Sequence, residues 1–347
     1  MKKTITRSLA AAGILLTLAI AAVLAFLIHT GQPRGSDRVR FDGFIQLPKH
    51  GVINVLDYLT LDGQNLFVTG ASSGSVFKVT LNSDQSITDS VVSAMRGEPR
   101  VHGVALIPSK DLAFVTRSEV NTVDVFNPST LQLIGRTSVP EDPDAILYDT
   151  KLGLIYVANG DAGVGTLIDP QSRAVLATIP LGGKPEFPAI EPESGLLYQN
   201  LKDTNAIVAL DLTKRAVVGR WSISPCVGPT GMAIDGQHHR LFSVCSKNAT
   251  LVVFDLDNHR VLSSLTIGGG PDSVAYDPTL QRIYTAGLDG TMTVIQQNTA
   301  DSYQVTDNIS THFAAHTLTV DPASHKIFVG YASLFTNPKI AVFTGTR

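Results

Sequence analysis

Charge is scarce in this sequence and cysteine scarcer still: 16% of the 347 residues are Asp, Glu, Lys or Arg, and Cys occurs twice. Lys and Arg together number 27 against 30 for Asp and Glu, a formal charge of −3. So even a balance offers no strongly basic surface, which argues against a dedicated nucleic-acid binder held by phosphate contacts. An apolar content of 44% with so little charge excludes a disordered chain. Gly (29) and Pro (18) stand at ordinary frequencies, so collagen-like and low-complexity readings fail. There is no C-x-x-C redox motif, no C-x-x-C-H haem attachment and no Gly-rich phosphate loop. What remains is a globular protein whose chemistry lies in a few polar side chains.

One long uncharged run is present. After Lys2, Lys3 and Arg7, residues 8–28 read SLAAAGILLTLAIAAVLAFLI. A helix of that length, at about 1.5 Å per residue, spans roughly 30 Å and matches a bilayer core. Secretory apolar segments are shorter, about 7–15 residues. Residues 1–28 are therefore expected to be an uncleaved signal anchor, with a cleaved signal peptide as the alternative. Arg34, Arg38 and Arg40 balance the three early cations, so charge does not set orientation. A long C-terminal domain translocates regardless, which places it on the periplasmic side of the cytoplasmic membrane, or free in the periplasm if the segment is cleaved. In such an oxidising compartment Cys226 and Cys245 are expected to form a disulfide.

The rest of the chain repeats itself. Pro143-DAILYDTKLGLIYVAN, Pro185-EFPAIEPESGLLYQN, Pro229-TGMAIDGQHHRLFSV and Pro271-DSVAYDPTLQRIYTA share one plan: an alternating apolar run, a turn, and a second run holding an aromatic. Those aromatics are Phe67, Phe114, Tyr156, Tyr198, Phe242, Tyr284 and Phe328, spaced 47, 42, 42, 44, 42 and 44 residues apart. Short runs of period two separated by turn residues are strands. Four strands per repeat of that length is the sequence form of a propeller blade. The fold class is thus all-β, a seven-bladed β-propeller over 41–347, with 29–40 a polar tether. The final repeat lacks an outer strand, and the unpartnered segment 41–47 (FDGFIQL) is expected to complete that blade and close the ring.

The strings LIYVANGDAGVGTLIDPQSRAVLATIPLGGKP and RIYTAGLDGTMTVI resemble the YVTN/YncE-like β-propeller repeat family, across essentially all of 41–347. That resemblance implies an extracytoplasmic propeller and leaves function open, since such propellers include plain binding proteins and enzymes. Lactonase-like and lyase-like propellers, similar more distantly, use polar residues at the mouth of the central channel.

The repeat also allows blades to be compared position by position. Twelve residues before the aromatic stand His102, Asp144, Glu186, Thr230, Asp272 and His316, and a shorter first turn aligns Asp57 with them. This position opens the innermost strand of each blade, so the seven side chains should crowd one mouth of the channel. Asp144 and Asp272 each follow proline and also suit a simple turn role; Glu186, His102 and His316 fit that less well. Blades seven, one and two are consecutive in a closed ring, which makes Asp57, His102 and His316 candidate ligands for Zn, Fe or Mn. Alternatively, the carboxylates alone would suit Ca²⁺. Asp144, Glu186 and Asp272 are the candidate acid/base groups. Arg100, Arg117, Lys184, Asn159 and Tyr331, placed near the same mouth, are candidate ligand-binding residues, the cations otherwise being solvated surface charges.

Two functions follow as expectations. One is a monomeric propeller that binds a divalent metal and a small-molecule ligand at the mouth, with metal-assisted hydrolysis or elimination as the reaction class if it is an enzyme. The other is a non-catalytic scaffold or binding module for an envelope protein or glycan, touching the membrane through its N-terminal segment only.

Overall fold

The computed structural model describes residues 33–49, 51–82, 91–96 and 100–347, so the proposed anchor at 1–28 lies outside the described residues. Among those described, seven four-stranded antiparallel sheets follow one another along the chain. The innermost strands are Leu56–Asp62, Val101–Ile107, Pro143–Asp149, Pro185–Ile190, Pro229–Asp235, Pro271–Asp277 and Thr317–Asp321. Six blades run outward from these in sequence order. The seventh takes its outermost strand, Val39–Gln46, from the other end of the chain. That strand pairs antiparallel with Lys339–Gly345, from Val39 opposite Gly345 to Gln46 opposite Lys339. The expected closure is therefore present, with the strand beginning two residues earlier and ending one earlier than the sequence pattern indicated.

Burial explains why the strands read as they do. Second and third strands are covered on both faces by neighbouring blades and are nearly continuous apolar runs, as in Ile155–Ala158 and Leu251–Phe254 at 0% exposure. Outer strands such as Leu133–Ser138 alternate, because one edge and one face meet water. The seven aromatics of the repeat all lie in second strands and are at most 3% exposed. Seven positions before each of the last five aromatics stands an acidic residue with a local task. Asp149 Oδ1 accepts from the backbone N–H groups of Lys151 and Leu152 at 2.8 and 3.0 Å, and Asp235 and Asp277 repeat this turn.

The blades are joined where the inner strands begin. Thr116 Oγ1 donates to the Asp144 carbonyl at 2.6 Å, Asn200 Nδ2 to the Thr230 carbonyl at 2.8 Å, and Ser273 Oγ to the His316 carbonyl at 3.3 Å. Each bond crosses from one blade to the next and fixes the backbone of a ring residue. At Gly103 a Cβ would come within 2.8 Å of Ile146 and 3.1 Å of the Asp144 carbonyl, so only glycine permits this approach of blades two and three. Beneath the ring, Tyr58 and Phe187 meet across the channel with ring centroids 5.5 Å apart. The mouth is a cup with an aromatic floor.

Ile45, 2% exposed in the closing strand, packs with Ile340, Val342 and Leu47. If that strand is integral to the ring, Ile45→Ala will lower unfolding stability by about 2–4 kcal/mol in a denaturant titration. Val175→Ala, on an outer strand and 40% exposed, will stay within about 0.5 kcal/mol.

Candidate functional site

All six ionisable residues of the ring line one cavity of about 300 Å³: Asp57, His102, Asp144, Glu186, Asp272 and His316. Thr230, the seventh, is 1% exposed and donates through Oγ1 to the Pro271 carbonyl at 2.9 Å. The convergence is a direct result of the fold, since a side chain at the start of each inner strand has only the mouth to face.

The polar contacts divide the ring. His102 is central to one side. Its Nδ1 lies 2.5 Å from Asp57 Oδ2 and 3.6 Å from Asp144 Oδ1, and its Nε2 lies 2.9 Å from Ser118 Oγ. Potential ligand atoms of Asp57, His102 and Asp144 all fall within 4.8 Å of one another. Bonds of about 2.0–2.2 Å to a shared ion place ligand atoms roughly 3–4 Å apart, so a small opening of the Asp57–His102 contact would admit a cation. With Nε2–H donating to Ser118, loss of the Nδ1 proton would leave a lone pair facing the two carboxylates, as a metal ligand requires.

His316 sits differently. Its Nδ1 lies 2.9 Å from the carbonyl of Ala314, two residues back, which turns Nε2 toward Asp272 Oδ2 at 3.8 Å. The group that could hold a metal is therefore Asp57, His102 and Asp144, from blades one to three, rather than Asp57, His102 and His316. Asp144 moves from acid/base candidate to ligand candidate, and His316 moves away from that group. Glu186 is held by Lys202, with Nζ 2.9 Å from Oε1. Lys184 lines the cavity and bridges Asp142 at 3.3 Å and Asp161 at 2.7 Å.

Arg117, Asn159 and Tyr331 are not brought to the cavity. They end second strands, whose two faces are both covered, and are 2%, 0% and 4% exposed. Arg117 Nε donates to the buried Asp124 at 2.5 Å, Asn159 Nδ2 to the Pro140 carbonyl at 2.7 Å, and Tyr331 packs on Phe44. Arg100 is exposed and does not line the cup. Cys226 and Cys245 are disulfide-bonded, their Cα atoms 5.4 Å apart. Sequence reasoning missed four residues: Tyr58, Asp142, Lys202 and Ser118. Asp142 stands two before its ring residue, as Lys184 does, and that spacing was enough to find it.

Crowding shapes the proton affinities. For His102, burial works against charge, but the hydrogen bond and charge of Asp57, then Asp144 and Asp142, outweigh it and raise the imidazole to about 9. Burial, together with repulsion from Asp57, Glu186 and Asp272, pushes Asp144 up to about 8 against the pull of His102. Burial also raises Glu186 and Asp272. In the absence of a metal ion the His102 imidazolium is itself the cation between Asp57 and Asp144.

Comparison with known proteins gives a fold and no family. No protein-family model matches the chain, and no curated protein matches it. Among solved structures 1617 chains match, a breadth that separates fold from function. One is hydrazine synthase of Kuenenia stuttgartiensis, 16% identical, with a TM-score of 0.70 over 82% of this chain and 94% of that one. At that identity the likeness shows the propeller fold alone.

The raised His102 has a consequence for stability. A histidine whose folded pKa exceeds its unfolded value stabilises fully below about 6.5 and ceases to do so as pH rises through about 9. In chelator-treated protein, the stability gap between wild type and His102→Gln should be on the order of 3 kcal/mol at mildly acidic pH. Urea titrations across that range should show it closing by strongly alkaline pH; a constant gap would refute the ion pair.

Proposed function

We propose that this chain is an extracytoplasmic, YncE-like seven-bladed propeller that holds a divalent metal ion between Asp57, His102 and Asp144 and a small ligand in the cup above Tyr58. The observation that carries the reading is the gathering of those three ligand sets within 4.8 Å, in a cavity whose other walls are ionisable as well. One imidazole nitrogen and two carboxylates favour Zn²⁺, Mn²⁺ or Fe²⁺ over the all-oxygen surroundings of Ca²⁺. A divalent ion would also relieve the repulsion that raises Asp144. Such an ion polarises a carbonyl or phosphoryl oxygen, and Glu186 and Asp272 lie on the opposite wall to move a proton. Metal-assisted hydrolysis or elimination is the reaction class that this arrangement suits. The disulfide supports an oxidising, extracytoplasmic location, with residues 1–28 as anchor or leader.

A second reading, a binding module for an envelope protein, is supported by one feature. Val52, Ile53 and Phe335 are 51%, 58% and 61% exposed and stand together where Ile53–Asn54 pairs with Ser333–Leu334. Exposed apolar groups of this kind mark contact surfaces.

Calorimetric titration of chelator-stripped protein with Zn²⁺ and Mn²⁺ tests the first reading. One ion should bind per chain near neutral pH and release protons, because Nδ1 of His102 and the Asp144 carboxyl must give them up. His102→Ala and Asp144→Asn should each weaken binding by about tenfold or more. No binding to the wild type, and no metal in protein purified without chelator, would leave the binding module as the surviving reading. A C-terminal phosphatase fusion that is active only outside the cytoplasm tests the location.

A further inference from the structure

Charge pairing around the cup leaves one group over. Five carboxylates line it, those of Asp57, Asp142, Asp144, Glu186 and Asp272. Lys184 serves Asp142, and Lys202 serves Glu186. A divalent ion, or failing that the imidazolium of His102, serves Asp57 and Asp144. Among the described residues no ammonium or guanidinium lies within ion-pair distance of Asp272, which feels Lys202 only at longer range, and its side chain, at 35%, is the most exposed of the ring. Its neighbour is His316 Nε2 at 3.8 Å. A carbonyl only accepts, so the Ala314 carbonyl takes a hydrogen from Nδ1 of His316, and in the neutral tautomer the lone pair is on Nε2. In that tautomer two acceptors face each other across a gap too wide for a direct hydrogen bond and of a width that one bridging donor spans.

We propose that the ligand of this cup is a small primary amine, whose ammonium group donates to both Asp272 Oδ2 and His316 Nε2. Its other end carries oxygen atoms for the metal, and in that respect the inference rests on the metal reading above. An ammonium supplies what the site lacks: a positive charge for Asp272 and at least two donor hydrogens for two fixed acceptors. A carboxylate or phosphate in the same place would meet Asp272 and a lone pair, and be repelled by both. The pocket volume of about 300 Å³ limits the ligand to a compact molecule. His316, expected from sequence to hold metal, becomes a specificity residue.

Matched metal-binding probes test this. β-Alanine hydroxamate and its uncharged isostere butyrohydroxamate differ only at the far end, and both would be titrated calorimetrically into Zn²⁺-loaded protein. The amine should bind at least about tenfold more tightly, as a charge-assisted pair of hydrogen bonds implies. Asp272→Asn, which keeps shape and removes charge, should abolish that preference. Equal affinities in the wild type would overturn the inference while the metal reading stands, and so would a preference that survives Asp272→Asn. If Zn²⁺ itself does not bind, the metal reading falls. Propylamine with the metal-free protein then decides: detectable binding lost in Asp272→Asn supports the amine pocket, and no binding ends it.

Discussion

Like charges repel, and this protein gathers five carboxylates, those of Asp57, Asp142, Asp144, Glu186 and Asp272, round the mouth of one channel. The remaining structure is what holds them there. A single sheet would relax by splaying its strands, but a closed ring has no free direction in which to do so. Closure comes from the strand Val39–Gln46, which binds the last blade from the other end of the chain. The ring positions are then fixed one by one through backbone carbonyls that accept hydrogen bonds from Thr116, Asn200 and Ser273 of the preceding blades. The site is a strained electrostatic arrangement held in a rigid, hydrophobic frame.

The frame was almost wholly legible in the sequence, and for a physical reason. A propeller repeats one structural unit, so each aromatic from Phe67 to Phe328 samples the same environment, and seven samples of one pattern outweigh the ambiguity of each. The ring was legible by the same route, because in six of the seven blades the ring residue stands twelve before a buried aromatic. What could not be read was direction. Whether His316 leans toward Asp57 or toward Asp272 depends on a hydrogen bond to the carbonyl of Ala314, in an irregular connection with no repeat to interpret it. Arg117, Asn159 and Tyr331 misled for another reason: they end second strands next to the mouth in sequence, yet both faces of those strands are covered.

The two histidines show how partners assign roles. His102 stands between two acids with its second nitrogen on a hydroxyl, which accepts or donates as needed. His316 has its second nitrogen on a carbonyl, which can only accept. Identical side chains at equivalent positions of the repeat therefore present different nitrogens to the cavity, Nδ1 to Asp57 and Asp144 in His102 and Nε2 to Asp272 in His316. The same frame in hydrazine synthase, at 16% identity, carries no information on such differences. They reside in single hydrogen bonds that fold comparison does not register.

The register of the closing strand also gives the molecule a polarity. Val39 pairs with Gly345, whose N–H is bound by the carbonyl of His325 in the turn after an inner strand. Gln46 pairs with Lys339, opposite Tyr331 at the other end of the blade, where the ring residues stand. The chain therefore enters the propeller on the side away from the cup. The depth of the ring stands between the start of that strand and the residues that line the cup.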